Sequence, residues 1–367
     1  MGTPSYPIRF AFVGAGGVSR LHVPAFQAAP ECVRLAAVCD ARPDAARALA
    51  EQFPAPVRLF GDHRDLLDTA EIDAAIIGLP HNLHFPVARD LVAGGVPVLV
   101  EKPLTCTLDE TRELRELAAR HRVPVVAGQM RRFNREAIWL RRWLDADPEH
   151  FGDLSSFAIH SWQHIVAYLN EVKPADPWLL DGKRAGGGVV ISLAIHQLDL
   201  LRFLSGHDYT EVHARGRFDP PFINGAESSA AVLLQMNNGA AGMLHANYLG
   251  PRVPYSEAVY LYGSHGTIIQ HAGEIGQYHG PFRYATIKGR ETTAWVDQYQ
   301  NLDLVPAEEA ADLHENPFVN QLVHFATALH TGTMPRNNVD ENFNTMACIQ
   351  AINDSLRSGK PESVAME

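Results

Sequence analysis

Over the first 130 residues, short unbroken apolar runs alternate with longer stretches in which apolar positions recur every three or four residues. IRFAFV (8–13), LAAVCD ending at Asp40, AAIIGL (74–79), PVLVEKP (97–103) and VPVVAGQ (123–129) are such runs. They are too short for helices and lack alternation, which predicts strands buried on both faces. RLHVPAFQAA, ARPDAARALAEQF and residues 83–94 and 110–121 carry the helical period between them. Strand and helix taking turns predict an α/β fold with a doubly wound parallel sheet. After residue 150 the pattern changes. LSSFAIHSWQHIV (154–166) partly alternates, which sets His160, Trp162 and His164 on one face. EVHARGRF (211–218), SSAAVLLQM (228–236), GAAGMLHANYL (239–249), AVYLYGS (258–264) and GTIIQH (266–271) follow closely, with NNG and GSHG turn signals. That spacing predicts antiparallel pairing. Residues 316–330 and 340–358 read as helices.

The first strand runs into GAGGVS at 14–19. Gly14 permits a tight turn, and Gly16, with Gly17 and Val18 beside it, lets backbone approach a pyrophosphate at a helix N-terminus. Ser19 replaces the third glycine of the usual fingerprint and is small enough for helix to pack closely on strand. Asp40 lies 26 residues after Gly14, at the end of the second strand. A carboxylate there accepts from both ribose hydroxyls and repels a 2′-phosphate, so NAD is expected rather than NADP. Arg42 can weaken that discrimination by pairing with a phosphate. The plainer alternative is a glycine turn in an unrelated α/β protein.

Composition narrows the classes. The 367 residues suffice for two domains, and 46% apolar with 20% charged residues is an ordinary globular balance. Lys plus Arg number 31 against 42 Asp plus Glu, a net charge of −11 without a long basic run, which argues against nucleic acid as a partner. MGTPSYPIRF has no basic region followed by an apolar one, and no apolar run approaches the ~20 residues of a membrane span. No membrane association is therefore expected, and the expected location is cytoplasmic. Cys32, Cys39, Cys106 and Cys348 are scattered, which suits buried reduced thiols. HSWQH at 160–164 sets two histidines on one strand face without a third ligand, so no metal is expected.

GGGVVISLAIHQLD at 186–199 is the most chemical stretch. Its spacing stacks Ser192, His196 and Asp199 on one stripe of an otherwise apolar helix, as if the stripe faced a cavity. Imidazole exchanges a proton near neutrality without a large pKa shift. The alternative is a core histidine satisfied by Asp199 or by backbone.

Taken together, GAGGVSRLHVPAF, LPHNLHFPVARDLVAGGVPVLVEKPLT (79–105), GQMRRFN (128–134), GGGVVISLAIHQLDLLRFLSG (186–206) and AINDSLRSGKP (351–361) resemble the Gfo/Idh/MocA oxidoreductase family. The resemblance implies an N-terminal Rossmann domain (1–128) and a C-terminal α/β domain with a large open, mostly antiparallel sheet (129–338). It also implies a final helix (339–367) at the domain junction. Substrate binding and assembly into a homodimer or homotetramer would belong to the second domain. The implied reaction oxidises or reduces a secondary alcohol of a sugar or cyclitol with a nicotinamide cofactor. Lys102 of EKP is implied beside the substrate hydroxyl, its pKa lowered by burial and the cofactor's cation, with His196 as its catalytic partner.

The same resemblance assigns lesser roles. Pro80 and His84 match the segment passing the nicotinamide end, Asn82 could cap the helix there, and Glu101 packs near the nicotinamide ribose. Arg131 falls in a substrate-side crossover. Trp162 and His164 either line the pocket, stacking on a sugar, or belong to the sheet interface. Trp178 and Asp181 enter from the loop before the glycines. Many family dehydrogenases carry an aspartate four residues before the histidine, and here that position is Ser192. The site is thus about one negative charge short, so the substrate differs or another acid compensates. Two other functions stay open: a non-catalytic nucleotide or sugar sensor of the same fold, and a ketosugar reductase working in reverse.

Overall fold

The run IRFAFV forms β1 (Ile8–Val13), and the other early apolar runs form β2 (Val33–Cys39), β4 (Ala74–Ile77), β5 (Val98–Glu101) and β6 (Val125–Gly128). A short β3 (Arg58–Phe60), too brief and exposed for its pattern to show, completes a parallel sheet of order β3-β2-β1-β4-β5-β6. This is the Rossmann arrangement. Every residue of β4, and Val98 to Val100 of β5, has no accessible surface, as strands covered on both faces require. The crossovers carry α1 (Gly17–Ala28), α2 (Pro43–Ala50), α3 (His84–Ala93) and α4 (Leu108–His121). Thr107 and Glu110 close a capping box at the start of α4. Strand order reverses between β1 and β4, and in such sheets ligands lie at the carboxyl ends beside that point.

The computed structural model describes residues 4–68, 71–174, 176–249, 256–272, 282–286 and 303–367. They divide into two compact units, Met1–Phe133 with His314–Met346, and Asn134–Leu313 with Ala347–Glu367.

The second unit opens with α5 (Arg135–Ala146), which was not anticipated and buries Ala137, Ile138, Trp139, Leu140 and Leu144. β7 (Leu154–Trp162) leads to α6 (Ile165–Val172), α7 (Gly182–Ala185) and α8 (Ile195–Ser205). Then come β8 (Tyr209–Arg217), β9 (Ser229–Met236), β10 (Ala241–Asn247), β11 (Ser256–Gly263), β12 (Gly266–Ala272), β13 (Phe282–Thr286), β14 (Asp303–Leu304) and, near the C-terminus, β15 (Glu362–Ser363). Among the described residues they form one sheet, β14-β13-β12-β11-β7-β10-β9-β8-β15. Its pairs are antiparallel except β7 with β10, which the intervening helices allow to run parallel. Along β9, Ala230, Val232, Leu234 and Met236 are buried while Leu233 is 61% exposed, so one face is core and the other open. α8 lies on the core face, where Ser161 donates to Gln197 Oε1 (3.1 Å) and the Tyr209 hydroxyl donates to Leu198 O (3.1 Å).

α9 (Pro317–Thr331) overturns the expected boundary at 338, because it belongs to the first unit. Phe318, Leu322, Phe325 and Leu329 complete the core built by Phe10, Val23 and Phe26, with the Phe10 and Phe325 rings 5.9 Å apart. Burial of that apolar stripe, rather than proximity along the chain, sets the division. α10 (Val339–Ser358) begins in the first unit and ends in the second. Within the helical stretch Gly182–Ser205, an 18-residue window of mean hydropathy 1.4 passes the length and composition test for a membrane span, but 83% of that window is buried inside the protein. Its apolar surface is the core of the second unit.

Candidate active site

After β1 the chain turns at Gly14, where φ is +100° and a Cβ would lie 2.4 Å from Gly78 O. Only glycine fits there. A Cβ on Gly78 would in turn meet Val18 Cγ1 at 2.8 Å, so the close helix-to-strand contact falls on Val18. Ser19 is buried and donates to Gly16 O (2.7 Å). At Gly16 and Gly17 an added Cβ would meet no protein atom within 4 Å, and the α1 N-terminus has neither a side-chain cap nor an acid in its first turn. Its leading N–H groups are left for an anion. Asp40 Oδ2 accepts from Ala15 N (2.7 Å) and Oδ1 from Arg42 N (2.8 Å). Each oxygen keeps a lone pair for a ribose hydroxyl. The exposed Arg42 side chain reaches only 3.4 Å from Oδ1. These residues fit a dinucleotide.

β5 delivers Glu101, which is buried with Oε1 2.7 Å from His22 Nε2. His22, on α1, is buried between the rings of Phe12 and Phe318, at 5.3 and 4.8 Å. Its Nδ1 has no hydrogen-bond partner among the described residues. Glu101 Oε2 accepts from Lys102 N (3.3 Å). Gly128 lets β6 approach, since a Cβ there would lie 2.8 Å from Glu101 Cα. Lys102, half-buried, precedes a cis peptide to Pro103. His84 is fully buried with Nδ1 2.7 Å from Pro103 O and Nε2 2.8 Å from Leu79 O. It braces the loop after β4 against the loop after Lys102, and burial lowers its pKa.

Pro80 leads into a 3-10 turn, His81–Leu83, so Asn82 lies inside that turn and does not cap α3 as expected; the N-cap is Leu83, without a side-chain bond. Arg131 is buried in the turn Met130–Phe133. Sequence reasoning missed His22 and also Gln129, which is wholly buried with neither amide atom hydrogen-bonded among the described residues.

In the second unit, α7 closes on Gly186 (φ +83°), and the chain passes Glu227 at Gly188, where a Cβ would lie 2.0 Å from Glu227 O. Glu227 is buried; Oε2 accepts from Gly188 N (2.7 Å) and Oε1 from Val190 N (2.8 Å). Burial pushes its pKa up to about 7 against the pull of these N–H groups. Val190–Ala194 is a π-helical turn, so Ser192, His196 and Asp199 do not form the single α-helical stripe that their spacing predicts. Ser192 and Asp199 are buried, and His196 is partly exposed. Tyr248 is buried beside Phe222 with rings stacked 5.9 Å apart, and Ser192 is among the side chains acting on its hydroxyl. Burial raises the Tyr248 pKa well above its ordinary value, and Ser192 draws it partly back. Neither Glu227 nor Tyr248 was anticipated.

The remaining expected residues scatter. Ser161 points to α8, so Trp162 points to the open face of the sheet, where its Nε1 donates to His245 Nδ1 (3.3 Å). His164 lies beyond β7 and caps α6, accepting from Ala167 N (2.8 Å). It therefore does not share a strand face with His160, because the strand has ended. Asp181 caps α7, accepting from Lys183 N (3.0 Å) and Asn224 Nδ2 (2.8 Å). Trp178 sits in the 3-10 turn before it.

Comparison with known proteins decides the family. A model described as "Oxidoreductase family, NAD-binding Rossmann fold" matches residues 8–129, and the GFO/IDH/MocA C-terminal domain matches residues 140–269. The chain belongs to the Gfo/Idh/MocA family. It is 29% identical over 262 residues to the rhizopine catabolism protein MocA of Rhizobium meliloti, a match covering 70% of this chain and 76% of that one. It is 25% identical over 360 residues to the scyllo-inositol 2-dehydrogenase (NAD(+)) of Bacillus subtilis, covering 97% and 96%. The solved aldose-aldose oxidoreductase from Caulobacter crescentus, complexed with glycerol, has a TM-score of 0.80 at 21% identity and covers 97% of this chain and 99% of its own. This Gfo/Idh/MocA protein is an NAD-binding oxidoreductase.

Proposed function

We propose that the protein transfers a hydride between NAD and a secondary alcohol of a sugar, sugar derivative or cyclitol, with Lys102 and His196 handling the hydroxyl proton. The bound nicotinamide supplies hydride acceptance and donation. The chain's own residues orient the alcohol and exchange its proton. Lys102 hydrogen-bonds the reacting oxygen and His196 exchanges the proton with it. Gly14, Gly16, Gly17, Val18, Ser19 and Asp40 hold the cofactor. Ser192 offers the substrate a neutral hydroxyl at the position where the family resemblance implies an acid.

The observation that carries this reading is the anchoring of Lys102. It stands at the carboxyl end of β5, its N–H held by buried Glu101, which is itself held by His22. The scyllo-inositol and aldose substrates in the relatives' names support the polyol class. Self-association through the open face of the sheet, where Leu233, Met243 and Tyr262 are exposed, belongs to the same proposal. The test is NADH absorbance with a panel of cyclitols and aldoses. Lys102→Ala and His196→Asn should each lower kcat about a hundredfold or more, the usual worth of a positioned proton-transfer group. Tight NAD binding without turnover on any polyol or ketose, in either direction, would overturn the proposal in favour of a sensor.

A further inference from the structure

We infer that Glu227 is a positioning residue for the reaction, clamping through backbone N–H groups the turn from which His196 hangs. The inference rests on the proposed role of His196.

Three successive N–H groups open the helical segment after the triple glycine, and all three end on Glu227. Gly188 N and Val190 N donate to its two carboxylate oxygens, and Val189 N donates to its carbonyl (3.0 Å). The segment has no side-chain cap of its own, and leading helical N–H groups buried away from water need acceptors. Gly188 is what admits the Glu227 backbone so closely. Tyr248, whose hydroxyl Ser192 influences, lies next to the same place, since Tyr248 N donates to Ser228 O (2.8 Å), one residue from Glu227. Glu227 thus clamps the entry to the π turn at Gly188, Val189 and Val190. His196 follows Val190 by six residues of continuous helix, so its position follows from that clamp.

The clamp also shows why an acid stands at 227. In its ionised form it sets one acceptor oxygen before each of two converging donors, where an amide would turn an NH2 group against one of them. The other ionisable groups acting on this carboxylate are Tyr248 and Arg357.

The test compares Glu227→Gln and Glu227→Asp with the unaltered chain by peptide-resolved hydrogen exchange, NADH binding and steady-state kinetics. In Glu227→Gln, exchange at 188–190 should quicken and kcat should fall, each roughly tenfold or more, the worth of one lost bond to a charged acceptor. KM for NAD and the affinity for NADH should stay unchanged. Glu227→Asp, which keeps two acceptors, should recover part of kcat. Unchanged exchange in Glu227→Gln, or faster exchange with unchanged kcat, would overturn the inference. If Glu227→Gln does not fold, the same readings on Glu227→Asp decide, since a shortened clamp should give the same pattern in milder form. If the unaltered chain turns over no polyol, the proposed function fails, while the exchange measurement still reads the clamp.

Discussion

His22 shows how far one side chain reaches. It stands on the helix that follows the glycine turn, yet its hydrogen bond fixes the glutamate beside Lys102. His22→Ala would leave the Glu101 carboxylate buried without its donor, which costs about 2 kcal/mol. The expected result is a melting temperature several degrees lower, with some loss of kcat because Lys102 loses its support. A melting curve superposable on that of the parent would refute the assignment. Ser192 illustrates the opposite case. Its position suggested a missing acid; Glu227, a buried acid nearby, is spent on backbone, and Ser192 instead acts on the buried Tyr248 hydroxyl. Specificity is therefore better sought in Ser192 and Tyr248 together than in the serine alone.

At the scale of elements, the π turn and its clamp make stability depend on pH. Glu227 has a folded-state pKa of about 7, above the ordinary 4.5. Between those values the folded chain keeps a proton that the unfolded chain releases, so this group's contribution to stability falls as pH rises through that window and is level above it. The shift corresponds to about 3 kcal/mol. Melting temperature followed across that window should decline more in the parent than in Glu227→Gln; parallel curves would show that Glu227 does not titrate there. The same element marks where sequence was readable and where it was not. The parallel strands were legible because a strand buried on both faces is a plain apolar run. The π register was not, because Glu227, just before β9, and Tyr248, just after β10, are brought alongside only by the fold. His164 was misread for a local reason: the alternation of β7 continues in the letters for two residues after the strand has stopped.

For the whole molecule, the division of the chain matters most. The first unit needs His314–Met346, so residues 1–133 alone should lack the cover that α9 places over Phe10 and Phe26. Expressed alone, that stretch should bind a hydrophobic dye and show no cooperative melting transition, whereas adding residues 314–346 through a flexible linker should restore one. A sharp transition for 1–133 alone would contradict the role given to α9. Sequence pattern identified α9 and its apolar face correctly, but an amphipathic stripe does not name the surface it will cover.

That interleaving has a consequence during synthesis. A ribosome adds about 5–20 residues per second, so the 180 residues between Phe133 and His314 take roughly 10–40 s to translate at that rate. For that interval the nascent nucleotide-binding half carries an uncovered aromatic patch. It becomes a finished nucleotide-binding unit only once His314–Met346 has emerged, which makes early capture by a chaperone the natural companion of this architecture.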